Sequence, residues 1–301
     1  MQPEATSLFE TQRPRLLRLA YRMLGSRAEA EDIVQDAYLR WHKRDPSQID
    51  SPAAYLTRIV TRLCLDTIKS ARHRREAYVG SWLPEPLTEP EDDSLRADNL
   101  TLTLMLALER LSPLERAAFL LCDVFETPIA EIARTLNRDP DAVRQLASRA
   151  RRHVQSERPR YRVAQEEGEK ITHAFFQATR NGDIAALQTL LAQGVTMHSD
   201  GGSKVSTFPK VIIGLAKLLR LFASLTRKYG PSEQMIRLMW NDGLPGYVST
   251  YNGVLQTTTF AIDNGQITAI YRIRNPDKLA RLPESDWALS DWSSTDTIRP
   301  H

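Results

Sequence analysis

Two prolines constrain the fold of this chain more than any other feature. Thr127-Pro128 and Asp139-Pro140 each mark a helix start. Proline suits the first helical position because its fixed φ is already helical and its missing N–H would have had no partner. The turn Asn137-Arg138 stands between them. The first helix is therefore short, and the two helices must cross at a tight turn, the helix-turn-helix pattern. Ser112-Pro113 with Glu115 marks a further start upstream.

In the second of these helices, residues 140–154, Val143, Leu146, Ala147, Ala150 and Val154 form one apolar stripe. Arg144, Gln145, Ser148, Arg149, Arg151 and Arg152 lie on the remaining surface. Arginine and glutamine read base edges in the major groove, and arginines also neutralise phosphates. A solvated face on a bundle helix has a similar composition, but the turn and the caps upstream favour DNA.

The net charge is only +3, so the placement of charge matters more than its sum. A second basic helix opens at Ser51-Pro52, with Leu56, Ile59, Val60, Leu63 and Ile68 turned inward. It carries Arg58, Arg62, Lys69, Arg72, Arg74 and Arg75, and the first two share a face four residues apart. The helix of residues 27–41 differs. Ser26 and Glu29 form a capping box, and Ala30, Ile33, Val34, Ala37, Tyr38 and Trp41 give an amphipathic repeat. Its solvent face shows Glu29, Asp32, Gln35 and Asp36, with Arg40 near the end. Such a face does not suit phosphates. It either keeps the helix soluble or docks a basic protein.

Residues 80–99 hold six acids, one base and three prolines. This composition predicts a linker with little to bury, in which Trp82 and Leu83 are out of place. Beyond residue 170, Ile171–Leu191 reads as helix broken at Asn181-Gly182-Asp183, and Phe208–Tyr229 as a second helix. Strand patterns follow at 234–240, 246–251, 253–262 and 266–273, with Asn264-Gly265 as a hairpin turn. Helices followed by an antiparallel meander imply an α+β domain. Residues 283–301 carry no sustained pattern.

Residues 10–154 resemble a group IV (extracytoplasmic-function) bacterial sigma factor. The run Ala30-Glu31-Asp32-Ile33-Val34-Gln35-Asp36-Ala37-Tyr38-Leu39-Arg40 is similar to region 2.2 of that family, and residues 41–76 to regions 2.3 and 2.4. Leu111-Ser112-Pro113-Leu114-Glu115-Arg116 and Ser148-Arg149-Ala150-Arg151 resemble the two ends of region 4. The resemblance implies that Asp32, Gln35, Asp36 and Arg40 dock on core RNA polymerase. It also implies that the 52–76 helix melts and reads the −10 element and that the 140–154 helix reads the −35 element of promoter DNA. Trp82-Leu83-Pro84-Glu85-Pro86, Asp200-Gly201-Gly202-Ser203-Lys204 and Asn275-Pro276-Asp277-Lys278-Leu279 resemble the subgroup with a fused SnoaL-like extension. Ser203 stands where that subgroup typically has a third glycine. The resemblance implies regulation in cis. The misplaced Trp82 and Leu83 are themselves expected to meet the loops around Asp200–Lys204 and Asn275–Lys278, where Lys204 or Lys278 could meet Glu85.

The expected division is therefore region 2 at 1–79, a linker at 80–99, region 4 at 100–160, an α+β SnoaL/NTF2-like cone domain at 166–282, and a tail. No enzyme activity and no cofactor are expected. His198 and Asp200 are the candidates for acid/base chemistry in the extension, but an ordinary strand histidine and a turn-capping aspartate explain them better. A small ligand in its pocket stays open. Two cysteines and six histidines give no metal-ligand spacing. The MQPEATSLFE start does not read as a signal peptide, and the apolar run Val211–Leu225 is interrupted by Lys217 and Arg220. A cytoplasmic protein without a membrane span is expected. A ligand-sensing helix-turn-helix regulator is the alternative; it would need neither the docking helix nor the melting region.

Overall fold

The computed structural model describes residues 3–44, 49–76, 81–87, 102–155, 163–202 and 204–282. The chain forms two compact units. The first comprises Met1–Tyr78, Trp82–Arg162 and Asn241–Gly243. The second comprises Val79–Ser81, Val163–Trp240 and Leu244–His301.

The first unit is helical: α1 (Pro3–Leu24), α2 (Arg27–His42), α3 (Pro52–Glu76), α4 (Leu102–Glu109), α5 (Pro113–Phe119), α6 (Ile129–Leu136) and α7 (Pro140–Gln155). One apolar core runs from Phe9 through Trp41, Val60 and Phe119 to Val154. The helix starts lie where the prolines and caps place them. Ser51 Oγ accepts from Ala54 N–H, and Ser112 with Glu115 closes a full capping box. Asn137, in the left-handed region at φ 53°, ends α6 and makes the tight turn into α7. A wider π turn over Leu120–Val124 follows α5, which the sequence pattern does not announce.

Ser26 departs from expectation. Its hydroxyl accepts from Glu29 N–H at 3.3 Å, and a carboxylate from outside the helix joins the cap: Glu85 Oε2 accepts from Arg27 N–H at 2.8 Å. The linker's first part is likewise not a stretch with little to bury: Leu83 and Leu87 are fully buried and Glu85 is 6% exposed. The backbone explains this. Glu85 N–H donates to the Gly25 carbonyl, and Tyr21 Oη donates to the Glu85 carbonyl, so the segment is strapped to the α1–α2 corner. Gly25, at φ 70°, turns that corner and leaves room for the Trp82 ring, which a Cβ there would strike. Residues 88–101 and the 283–301 tail lie outside the described residues.

The second unit is α+β, the class expected for the extension: α8 (Gln165–Asn181), α9 (Ile184–Leu190), β1 (Leu191–Asp200), β2 (Ile212–Ile213), α10 (Leu215–Tyr229), β3 (Glu233–Asn241), β4 (Leu244–Tyr251), β5 (Val254–Asp263), β6 (Gln266–Ile273) and α11 (Pro276–Leu279). The sheet order is β2-β1-β6-β5-β4-β3, with β1 and β6 parallel. Phe175 and Phe176 of α8 and Phe222 of α10 pack with Tyr247 and Phe260 of the sheet. The helix expected from Phe208 begins only at Leu215, because Gly214 has φ 99° and the residues before it pair with β1. The break at Asn181-Gly182-Asp183 is as read: Gly182 ends α8 and Asp183 caps α9.

Candidate polymerase and nucleic-acid interfaces

On α2, burial of Ala30, Ile33, Val34, Ala37 and Trp41 fixes which residues face water. Asp32, Gln35, Asp36 and Arg40 are all exposed. Leu39, half exposed, lies among them. A single exposed leucine is ordinary on a protein surface, and the reading from charge alone did not single it out.

The cations of α3 do not share one environment. Arg58 stacks over Tyr55 at 5.4 Å, and Lys69 lies 3.8 Å from Asp66. Arg62 Nε and Nη2 donate to the carbonyls of Thr135 and Arg134. Arg72, Arg74 and Arg75 lie on the last turns of the same helix, and their side chains are outside the described set. Two clefts flank α3. One, of about 690 Å³, is lined by Lys43, Arg44, Arg58 and Arg134 among others, and the second, of about 740 Å³, by Arg62, Lys69 and Arg138. Both face region 4 residues of the same unit.

On α7, Val143, Leu146, Ala147, Ala150 and Val154 are buried as the stripe requires. Arg144, Gln145, Ser148, Arg149 and Arg152 are exposed. Arg144 pairs with Asp141 one turn earlier, and Arg149 lies 3.7 Å from Glu115. Arg151 is different: its Nε donates to Asp123 at 2.7 Å and its Nη2 to Cys122 Sγ at 3.4 Å, and this partnership raises its pKa. It braces α7 against the π turn.

The two glycine- and proline-bearing motifs of the extension form one cluster. Lys278 Nζ donates to the fully buried carboxylate of Asp200 at 2.7 Å, and Lys204 Nζ to Asp277 at 2.6 Å. Asp200 Oδ1 accepts from Gly202 N–H, and Asn275 Oδ1 caps Asp277 N–H. A Cβ at Gly201 would strike the Val205 carbonyl, and one at Gly202 would strike Asn275. Ser203 is outside the described residues. Each lysine thus has an acid within its own unit, while Glu85 is turned to the start of α2. Pro84 and Pro86 flank Glu85 in the extended strap, and Pro276 opens α11.

His198 packs on Tyr271 at 5.2 Å, and strand alternation places it with Asp200 on the face opposite Val195 and Met197, which enter the core. A second set of buried polar groups lies in the domain: Glu233, Tyr247, Ser249, Gln256, Thr258 and Arg272. Sequence reading passed over them because each looks like an ordinary strand residue. Among the described residues, no group of His, Cys, Asp and Glu is placed to hold a metal ion. No described helix is long and apolar enough to cross a membrane.

The comparisons agree with this layout. Residues 8–74 match Sigma-70 region 2, and residues 101–154 match Sigma-70 region 4. The chain is 36% identical over 294 residues to the ECF RNA polymerase sigma factor SigJ of Mycobacterium tuberculosis, covering 92% of this chain and 94% of SigJ. It is 31% identical over 284 residues to a probable ECF RNA polymerase sigma factor, SigI, of the same species, covering 92% and 95%. The crystal structure of M. tuberculosis SigJ superposes with a TM-score of 0.73 at 32% identity, over 91% of this chain and 98% of that one. An exposed acidic face on α2, two cationic helices in the order of regions 2 and 4, and identity of this extent have one reading: the chain belongs to the extracytoplasmic-function RNA polymerase sigma factors.

Proposed function

We propose that this alternative sigma factor docks on core RNA polymerase through Asp32, Gln35, Asp36, Leu39 and Arg40 of α2. In this reading Arg58, Arg62, Lys69, Arg72, Arg74 and Arg75 of α3 serve the −10 element, and the exposed residues of α7 serve the −35 element. The units of function are residues 1–79, 100–160 and 166–282, and the protein works beside polymerase in the cytoplasm. The observation that carries the reading is the exposed acidic and apolar face of α2. A helix-turn-helix regulator that binds DNA alone has no use for it.

The linker and the extension regulate in cis. This is supported by the linker's own contributions: Trp82–Leu87 belongs to the first unit, and Ser81, whose N–H donates to the Ser199 carbonyl, belongs to the second. The strap and the Asp200–Lys278 cluster together control whether both DNA-reading helices are available. The extension acts as a regulator and not as an enzyme.

The test is promoter-directed transcription with core polymerase and the full-length chain, wild type against Asp32→Arg/Asp36→Arg. The double reversal removes polymerase binding and transcription while the helical circular dichroism is unchanged. Promoter-specific binding without polymerase, undiminished in this variant, would establish the plain regulator instead.

A further inference from the structure

The cations of the second unit are not evenly spread. From Asn181 to Tyr229 the sequence holds six lysines and arginines and two acids, Asp183 and Asp200. Asp200 is buried against Lys278, and Asp183 caps α9 by accepting from Ala186 N–H. Helix α10 has no acid in its sequence, and Leu215, Leu218 and Phe222 bury one side of it. Helical spacing then gathers Lys217, Arg220, Arg227 and Lys228 on the opposite side, where all four are exposed. They span about 16 Å of the helix axis. No ion pair among the described residues engages any of the four. The neighbouring elements do not supply one. Helix α9 is uncharged. Helix α8 meets α10 through its last turns, where Thr226 Oγ1 donates to the Thr179 carbonyl at 3.3 Å and the next residue is the exposed Arg180. The acids of α8, Glu166, Glu167 and Glu169, are in its first two turns.

Folding explains only half of this stripe. A cation is favoured in the last turn of a helix and disfavoured in the first. The helix dipole therefore suits Arg227 and Lys228. It works against Lys217, which stands in a first turn without an acid, and Arg220 repels Lys217 from one turn away. Arg220 Nε donates to the Ala216 carbonyl at 3.2 Å, which leaves its Nη groups for an acceptor outside the chain. The side chains exposed between the cations are small: Ala216, Ala223 and Ser224. An extended anionic surface can thus approach all four cations at once.

We propose that the extension itself contacts duplex DNA, with the cations of α10 lying along backbone phosphates and reading no bases. Lysine and arginine contacts to phosphates supply affinity without sequence information. An anionic bilayer is the other extended polyanion. A helix that lies on a bilayer turns its large apolar residues toward it, and Leu215, Leu218 and Phe222 are turned into the domain instead. The exposed Val211 and Ile213 belong to the β2 segment, not to the helix. The contact adds to the DNA-reading helices α3 and α7 and depends on neither assignment.

The experiment is fluorescence anisotropy of the full-length chain with labelled duplexes of arbitrary sequence across a salt series. It needs no polymerase, so its outcome is independent of the transcription reading. Saturable binding that weakens as salt rises is expected. Each phosphate contact contributes about 0.9 to the slope of log affinity against log salt, so Lys217→Gln/Arg220→Gln should reduce that slope by about two. The loss of affinity should be the same for every duplex sequence, and the unfolding temperature should not fall. Arg220→Gln and Lys170→Gln change the net charge equally, but Lys170 stands among the glutamates of α8, so only Arg220→Gln should alter the slope. A photoreactive residue in place of Ser224 should crosslink to the duplex. No binding by the wild type at low salt, a slope unchanged in the double variant, or an equal effect of Lys170→Gln would each overturn the proposal. Binding to vesicles of phosphatidylglycerol and phosphatidylcholine in equal parts, with none to duplex, would do the same and assign the face to a membrane.

Discussion

The guanidinium of Arg62 donates to the Thr135 carbonyl at 3.3 Å and the Arg134 carbonyl at 3.4 Å, so a side chain assigned to the −10 element closes the C-terminus of α6. The last carbonyls of a helix lack intrahelical partners and carry its negative pole, which is why a cation settles there. Arg62 cannot hold these carbonyls and a promoter at once. In the free protein, Arg62→Ala should lower unfolding stability by no more than about 1 kcal/mol, since the side chain is largely in water. Urea denaturation measures this. On promoter DNA with polymerase the same variant should lose −10 discrimination. Stability and discrimination both equal to wild type would show that Arg62 has neither role.

Glu85 is the linker residue on which the strap depends. Its carboxylate accepts from Arg27 N–H and from Ser26 Oγ at a helix N-terminus, where negative charge is favoured. Glu85→Ala should cost about 1–2 kcal/mol and change promoter activity. Trp82→Ala should change promoter activity as well, because its ring fills the space over Gly25. Denaturation and transcription on the same preparations check both. Crosslinking from position 82 then reports which surfaces the strap meets in the free chain and with polymerase.

Much of this fold was readable from local signals. Pro52, Pro113, Pro128 and Pro140 stand at helix starts, the apolar stripe of α7 is buried, and Asn264-Gly265 joins β5 to β6. These signals act over a few residues. The Glu85 cap joins positions 58 apart, and no pattern within α2 indicates it. The Glu233–Arg272 cluster needs β3 and β6 to come together, although two strands separate them in the sheet. The Asp200–Lys278 pair spans 78 positions, and only its motifs, not its pairing, were legible.

The acid limb of stability should show the Ser112–Glu115 box. The Ser112 hydroxyl holds the Glu115 carboxyl below the ordinary carboxylate range, burial opposes this, and Arg149 adds to it. A carboxyl whose pKa is lower folded than unfolded stabilises fully above its unfolded value. That contribution is lost as pH falls through the folded one. Stability of the wild type should therefore decline below the ordinary glutamate range by about 1 kcal/mol more than that of Glu115→Gln. Denaturant midpoints from neutral pH to about pH 3 test this, and parallel curves for the two proteins would refute it.

The exposed residues of α7 should divide into readers and braces. Arg144 and Gln145 are near its N-terminus and exposed, so Arg144→Ala or Gln145→Ala should relax preference at one −35 position, at about 1–3 kcal/mol per base. Arg151 is held by Asp123 and Cys122, so Arg151→Ala should lower stability and leave base preference as it was. A promoter library read by sequencing separates the two. A uniform loss across sequences for Arg144→Ala would reassign it to phosphate contact.

Arg22 and Asp242 form an ion pair within the first unit, 2.9 Å apart, with both side chains fully buried. Removing two charges from water is costly, so such a pair adds little net stability over an apolar replacement, yet breaking it leaves one charge stranded. Arg22→Met should therefore destabilise the protein by about 3–5 kcal/mol. The compensating change has to respect the backbone. Asp242 has φ 46°, in the left-handed region that asparagine tolerates and leucine does not. Its carbonyl also accepts from Leu102 N–H at 3.2 Å, and the neighbouring Asn241 Oδ1 accepts from Leu87 N–H at 3.1 Å, so the turn must keep its shape. Arg22→Met/Asp242→Asn removes both charges and keeps the turn, and should recover most of the loss. Denaturant unfolding of the wild type, both single variants and the double variant gives the coupling directly. Additive losses in the double variant would mean that the pair is not coupled in solution, and that Arg22 is held by its other neighbours alone.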